Sequence, residues 1–366
     1  MSVATQTPVS EQSPQQTTTA PPRTAPPRTA PPRTDRPGRD PYLDNAKLIA
    51  IVLVVVGHSW NNLRDLPLVE AAYLLLYLFH MPAFVLVTGY LSRGSTTLTA
   101  GRAQQIVGGV VVPYLLFQTG YGVLAGVAGI EPAGPGLVSP SWLMWFLAAL
   151  ACWRLTAPVW EHMRAPVAVA IACSLAGGVT SSGALALTQV LGLLPFFVLG
   201  LRLRPHHLEL LRTRAVRLAS LGVLGTAAAC CYLAAPLTDR QMEWVYWRSS
   251  YTELGVSWLE GGLVRVGLLL AALVLSAAFL AWVPRHRTRL TAFGAHTMYA
   301  YLLHGLLVLA ALGLGVFDLA VADPVVGVPL VTAGAALAAC MLMSLPVRRV
   351  MQPLVQPDVR ALWRRT

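Results

Sequence analysis

Asp44, Lys47 and His58 bracket the apolar run 48–57 in the stretch DNAKLIAIVLVVVGHSWNN. At about 100° per residue, the eleven steps from Lys47 to His58 return to within roughly 20° of the start, and Asp44 lies within roughly 60° of Lys47. One face of an otherwise apolar helix therefore carries an acid, an ammonium and an imidazole, with Lys47 and His58 about 16 Å apart along the axis. A neutral imidazole in a cavity is the natural base near pH 7. In a bilayer such groups are costly and usually face the bundle interior or a wet cavity. The plainer reading is that Asp44 and Lys47 cap one end of a span, where an acid suits a helix N-terminus, and that His58 marks the other.

Five further places could carry chemistry. His80 precedes Pro82 in FHMPAFVLVTGYLSRG (79–94), where a proline frees a backbone carbonyl inside a span. Trp145 lies in SWLMWFLAALACW (141–153), and Trp247 stands with Trp244 and Tyr246 in the polar stretch 236–257. Such aromatics serve as interface anchors or as a platform for a sugar ring. Arg265 falls inside an apolar run seven residues after Trp258, and a buried arginine needs a partner. His304 lies within YAYLLHG (299–305). His206 and His207 sit in a basic loop and read as solvated, and GVLAG (122–126) is a lone GxxxG that implies close packing at most. The five cysteines lie in apolar segments without metal spacing, so neither a disulfide nor a metal is expected.

The elements that must position these groups are transmembrane helices. Of the 366 residues 55% are hydrophobic and 12% charged, against about 25% charged in a soluble domain. Ten spans are predicted, at about 43–60, 68–91, 104–126, 141–158, 165–184, 186–203, 215–235, 258–283, 295–317 and 325–345, giving an all-α polytopic bundle. The fifth is the weakest, since it holds Gly177, Gly178 and a Thr/Ser run. Arginines crowd alternate connections, around 93–102, 154–164, 202–217 and 285–289, and the C-terminal tail. The opposite loops hold only Arg64, Arg240 and Arg248. Ten spans with that bias put both termini in the cytosol of a multi-pass protein of the cytoplasmic membrane. The net charge of +11 is thus a topology signal, and no fold that reads nucleic acid accompanies it. Residues 1–40 hold three tandem APPRT repeats and no apolar core. They are expected to be a disordered cytosolic tail without a signal peptide, ahead of a membrane domain at 41–350 and a basic tail at 351–366.

Taken in order, YLDNAKLIAIVLVVVGH, FHMPAFVLVTGYLSRG, VVPYLLF, WLMWFLAALACWR, LPFFVLGLRL and FGAHTMYAYLLHG resemble acyltransferase family 3, the multi-span membrane O-acyltransferases, and most closely its fucose 4-O-acetylase-like branch. The resemblance covers roughly 40–350. The family's arginine, ten intervening residues and histidine are matched by Lys47 and His58, with lysine in the arginine position. Lysine keeps the charge and loses the planar fork. The resemblance implies transfer of an acyl group, usually acetyl, from acyl-CoA to a hydroxyl, often on a sugar, glycolipid or glycoside, with no permanently bound cofactor. His58 would be the base, and Lys47 with Arg93 and Arg102 would hold CoA phosphates. Lys47 and Asp44 would join His58 in the catalytic set, and His80, Trp145, Trp247, Arg265 and His304 would line the acceptor's path. Two rival readings remain: a transporter of a polysaccharide or lipid precursor, for which an internal repeat is expected and none is evident, and a noncatalytic scaffold for glycan assembly.

Overall fold

The computed structural model describes residues 1–3, 39–127, 136–180 and 184–359. The chain divides into two units, Met1–Arg39 and Asp40–Thr366. The expected disorder of the APPRT tail falls outside the described residues, as does the C-terminal tail from 360. All regular structure among the described residues is helical.

Helix α1 (Pro41–Trp60) begins where the Asp40 carboxylate accepts from the Tyr42 amide at 2.9 Å, with Pro41 pre-set for the first turn. Its Asn45 donates to the carbonyls of Pro284 and His286 and accepts from Thr291, which pins a distant turn to the first turn of α1. Helix α2 (Pro67–Ser92) opens on a proline and runs through Pro82. Helix α3 (Ala100–Ile106) passes through a π-helical turn at Val107–Val111 into α4 (Val112–Val127). There follow α5 (Trp145–His162), α6 (Pro166–Gly177), α7 (Leu187–Arg202), α8 (Pro205–Leu210), α9 (Arg214–Ala234), α10 (Thr238–Val245) and α11 (Trp258–Trp282). The chain closes with α12 (Thr297–Gly313), α13 (Val316–Ala322), α14 (Pro324–Leu342) and α15 (Leu345–Val355).

Eight helical segments among the described residues are long and apolar enough to cross a bilayer, and a ninth is counted if α12 and α13, bent by 62°, are one span. This differs from the ten predicted spans in two places. The fifth is only the twelve-residue α6, about 18 Å long by helical rise and short of a roughly 30 Å core, and Gly178 caps it. The ninth stops at Gly313, and Gly315, at φ 69°, turns the chain into α13. The polar stretch 236–257 contains α10 and folds inward, with Trp247 and Tyr251 buried.

Outward-facing leucines such as Leu233, Leu270 and Leu330 suit lipid as the solvent. The core is tight where α2 crosses α7. A methyl at Gly89 would lie 2.1 Å from the Phe197 carbonyl oxygen, and one at Gly200 would lie 2.2 Å from that of Leu86, so only glycine allows this approach. Gly122 and Gly126 of the GxxxG have no described neighbour within 4 Å of an added methyl, so that motif makes no close crossing.

Candidate active site

Helices α1, α2, α5, α7 and α12 and the segment around α10 enclose a cavity of about 650 Å³. One end is apolar, with Ile51, Phe84 and Phe146, and the other is polar, with Asn61, Arg64, Glu243 and Arg248. The ten helical steps from Ile51, in α1, to Asn61, just past its end, set these ends about 15 Å apart.

His58 lines the cavity from the last turn of α1. Its ring meets Trp142 edge-on at 5.3 Å and lies 5.1 Å from the His304 ring, between centroids. Neither nitrogen of His58 is hydrogen-bonded among the described residues. His304, on α12, is fully buried behind it. Its Nδ1 stands 3.0 Å from the Ala300 oxygen and 2.7 Å from that of Tyr301. Carbonyls only accept, so Nδ1 carries the proton and, in the neutral ring, Nε2 keeps a lone pair. That Nε2 is buried and has no hydrogen-bond partner among the described residues. His80 also lines the cavity and likewise commits Nδ1, donating to the Leu76 carbonyl at 2.7 Å. Of the three imidazoles, His58 alone faces the cavity with both nitrogens uncommitted.

Two cavity residues have unusual backbones. Trp142 has φ 30° and Trp247 has φ 59°, in the left-handed region that side chains avoid, at a cost of about 1–3 kcal/mol each. Arg265 shows what holds the second. Its Nη1 donates to the Ser174 carbonyl at 2.9 Å, and its guanidinium lies 5.7 Å from the Trp247 ring and 5.3 Å from that of Tyr251. The partner the sequence demanded is thus a carbonyl of α6 and two aromatic faces. Glu260 is occupied elsewhere, closing a capping box with Ser257.

The polar end is built from paired charges. Arg64 grips Glu70 through two bonds of 2.6 and 2.8 Å, and Arg248 reaches Glu243 at 2.9 Å. Arg248 holds the Glu243 carboxyl below its usual range, and the Glu70 hydrogen bond raises Arg64 above its own. Tyr73 bonds Asn61 at 3.1 Å and Tyr246 at 2.9 Å, and Gln189 donates to the Tyr246 carbonyl at 3.2 Å. These groups form an amphipathic wall of aromatic faces with fixed donors and acceptors.

The structure therefore brings His58, His80, Trp145 and Trp247 to one cavity, with His304 and Arg265 in the wall behind. Lys47 and Asp44 pair with each other at 2.9 Å and do not line it. Arg93 stacks over Tyr90 at 3.6 Å, and Arg102 donates to the Thr97 carbonyl at 3.1 Å, both away from the cavity. Sequence reasoning did not single out Arg64, Glu243, Arg248, Asn61 or Gln189. A signal existed for two of them, since Arg64 and Arg248 are arginines on the arginine-poor side of the chain.

Apolar helices of spanning length, closed around a cavity with imidazoles inside, define an integral membrane protein with the means for proton transfer. A family model, Acyl_transf_3, described as an acyltransferase domain, matches residues 40–344, so the chain belongs to this acyltransferase family and is an acyltransferase. No curated protein and no solved structure matches it.

Proposed function

We propose that this acyltransferase moves an acyl group, acetyl in the simplest case, from acyl-CoA to a hydroxyl of a sugar, glycolipid or glycoside of the cell envelope, as in the fucose 4-O-acetylase-like branch. The observation that carries the reading is His58, uncommitted at both nitrogens, in a cavity lined with aromatic faces and fixed polar groups. Aromatic faces suit the apolar face of a sugar ring, and the Arg64, Asn61 and Glu243 end suits its hydroxyls. His58 takes the proton as the acceptor oxygen attacks the thioester carbonyl. The tetrahedral adduct then collapses, the C–S bond breaks, and the CoA sulfur leaves with the proton from the imidazolium. Donor phosphates belong at the opposite, arginine-rich end, where Lys47, supported by Asp44, and Arg93 and Arg102 are available. With that end and both termini in the cytosol of a multi-pass cytoplasmic-membrane protein, donor and acceptor reach His58 from opposite sides.

The test is thiol release from acetyl-CoA by protein purified into nanodiscs, with mass spectrometry of an added panel of glycosides. Acceptor-dependent release with a stoichiometric acetyl ester on the glycoside is the expected result. His58→Ala should still bind CoA while transfer falls by about 10²–10⁴. Vectorial movement of glycoside across the bilayer without thiol release would replace transfer with transport. Near-normal turnover of His58→Ala per folded molecule would move the base to His80 or His304.

A further inference from the structure

Away from the cavity, three arginines converge at the end of the bundle that carries Asp40. Arg212 follows α8, Arg217 lies in the first turn of α9, and Arg285 lies in the turn after α11. The Nε of Arg212 and an Nη of Arg285 are buried and have no hydrogen-bond partner among the described residues. Buried donors are almost always satisfied, and an orphan on a charged group is costly enough to demand an explanation, such as a bound ion. Burial, with the like charges of Arg212 and Arg217, pushes the Arg285 guanidinium below its usual value, and among neighbouring groups only Tyr42 opposes that push. At Arg285 the like charges of Arg212 and Arg217 therefore dominate.

Arg285 and Arg217 are also held in place. Asn45 donates to the carbonyls on both sides of Arg285, at 2.9 Å to Pro284 and 3.1 Å to His286, so this turn cannot swing away. Arg217 stacks 4.5 Å above the Trp282 ring, whose Nε1 is itself fixed by Ser220 at 2.8 Å. The Tyr42 hydroxyl is engaged by the Leu280 carbonyl and has spent its proton. A cluster of guanidinium donors with two nitrogens unpartnered among the described residues is an arrangement that phosphate oxygens satisfy.

We propose that Arg212 and Arg285, with Arg217 beside them, form a binding site for a phosphoryl group. This goes beyond the transfer reading, because a soluble phosphate compound and a phospholipid headgroup offer the same oxygens.

The test uses full-length protein in phosphatidylcholine nanodiscs, comparing wild type with Arg212→Gln, Arg285→Gln and Arg214→Gln. The last removes an exposed arginine near Arg212 and controls for net charge. In one arm pyrophosphate or CoA is titrated against sodium chloride at matched ionic strength. In the other the nanodiscs are doped with phosphatidic acid and no soluble phosphate is present. Thermal stabilisation of the wild type in either arm is expected, and the arm that responds names the source. Apparent affinity should weaken by about tenfold or more in Arg212→Gln and Arg285→Gln and stay unchanged in Arg214→Gln. Without any phosphate, Arg285→Gln should melt no lower than wild type, because it removes a like charge from beside Arg212 and Arg217. No stabilisation in either arm, stabilisation unaltered by the variants or lost equally in Arg214→Gln, or failure of Arg285→Gln to fold would overturn the site.

Discussion

His58 and His304 stand ring to ring, 5.1 Å between centroids and 45° between planes, on helices α1 and α12. His304 spends its proton on the Ala300 and Tyr301 carbonyls and brings no second N–H toward its neighbour in the neutral form. A buried lone pair beside a base favours the imidazolium that forms during proton abstraction. With His58 as the proposed base, His304 would act on it as a positioning residue. His304→Phe, which fills the space without a lone pair, should lower kcat by about tenfold to a hundredfold, less than the 10²–10⁴ of the base itself, with KM for acceptor nearly unchanged. Steady-state kinetics with a kcat–pH profile check this, and a change confined to KM would remove the role.

The α2–α7 crossing should tolerate no added methyl. A Cβ at Gly89 or Gly200 collides with backbone carbonyls on the facing helix, which cannot rotate aside. Gly89→Ala and Gly200→Ala should each cost about 1–3 kcal/mol or more, while Gly262→Ala, with nothing within 4 Å, should be neutral. Melting of the three variants in matched nanodiscs decides it, and equal melting points would mean that the helices slide apart at no cost.

The Glu243–Arg248 pair sets a pH dependence. The hydrogen bond from Arg248 depresses the Glu243 carboxyl first of all, partly against desolvation, and Ser249 adds to it. A group depressed in the folded state stabilises above its unfolded value, near 4.3 for glutamate, and that contribution disappears as pH falls through the lower folded value. The pair is largely exposed, so its worth is no more than about 1 kcal/mol. The melting gap between wild type and Glu243→Gln should be constant from neutral pH down to about 5 and close below about 4. A gap that widens on acidification would contradict the pairing.

What could be read from the chain, and what could not, follows from the range of the interactions. Long apolar runs announce α1, α2, α7 and α11 because spanning a bilayer needs little beyond local composition. The fifth span was misjudged in length because Gly177 and Gly178 end a helix whose alanine- and valine-rich start reads as a span. His58, His80, Trp145 and Trp247 stood out as polar or aromatic interruptions, and they do share a cavity. Arg64, Glu243 and Arg248 did not, because charges between spans usually face water. Arg64 reaches the cavity from the turn after α1, and only tertiary folding of the α10 segment brings Glu243 and Arg248 to the same cavity. The shared helical face of Lys47 and His58 was legible, yet a straight helix that presents two residues on one side need not open one cavity to both.

Lys47 separates a structural role from a donor-binding one. It meets Asp44 at 2.9 Å, one turn away, with side chains only 15% and 9% exposed. Removing one partner of a largely buried pair strands the other charge and costs about 3–5 kcal/mol, whereas replacing both by neutral groups of similar shape is often nearly neutral. Lys47→Ala should therefore lower the melting temperature sharply, and the double variant Asp44→Asn with Lys47→Met should recover most of it. If Lys47 also contacts donor phosphate, the recovered double variant keeps a raised KM for acyl-CoA, because phosphate contact is made in the ground state as well as the transition state. Lys47→Arg should then fold normally and bind donor at least as well, since guanidinium can meet phosphate through two parallel bonds. The measurements are melting and acyl-CoA kinetics on the four proteins, normalised to folded molecules. A double variant with wild-type stability and wild-type donor KM would confine Lys47 to the entrance of α1 and leave donor recognition to the arginines.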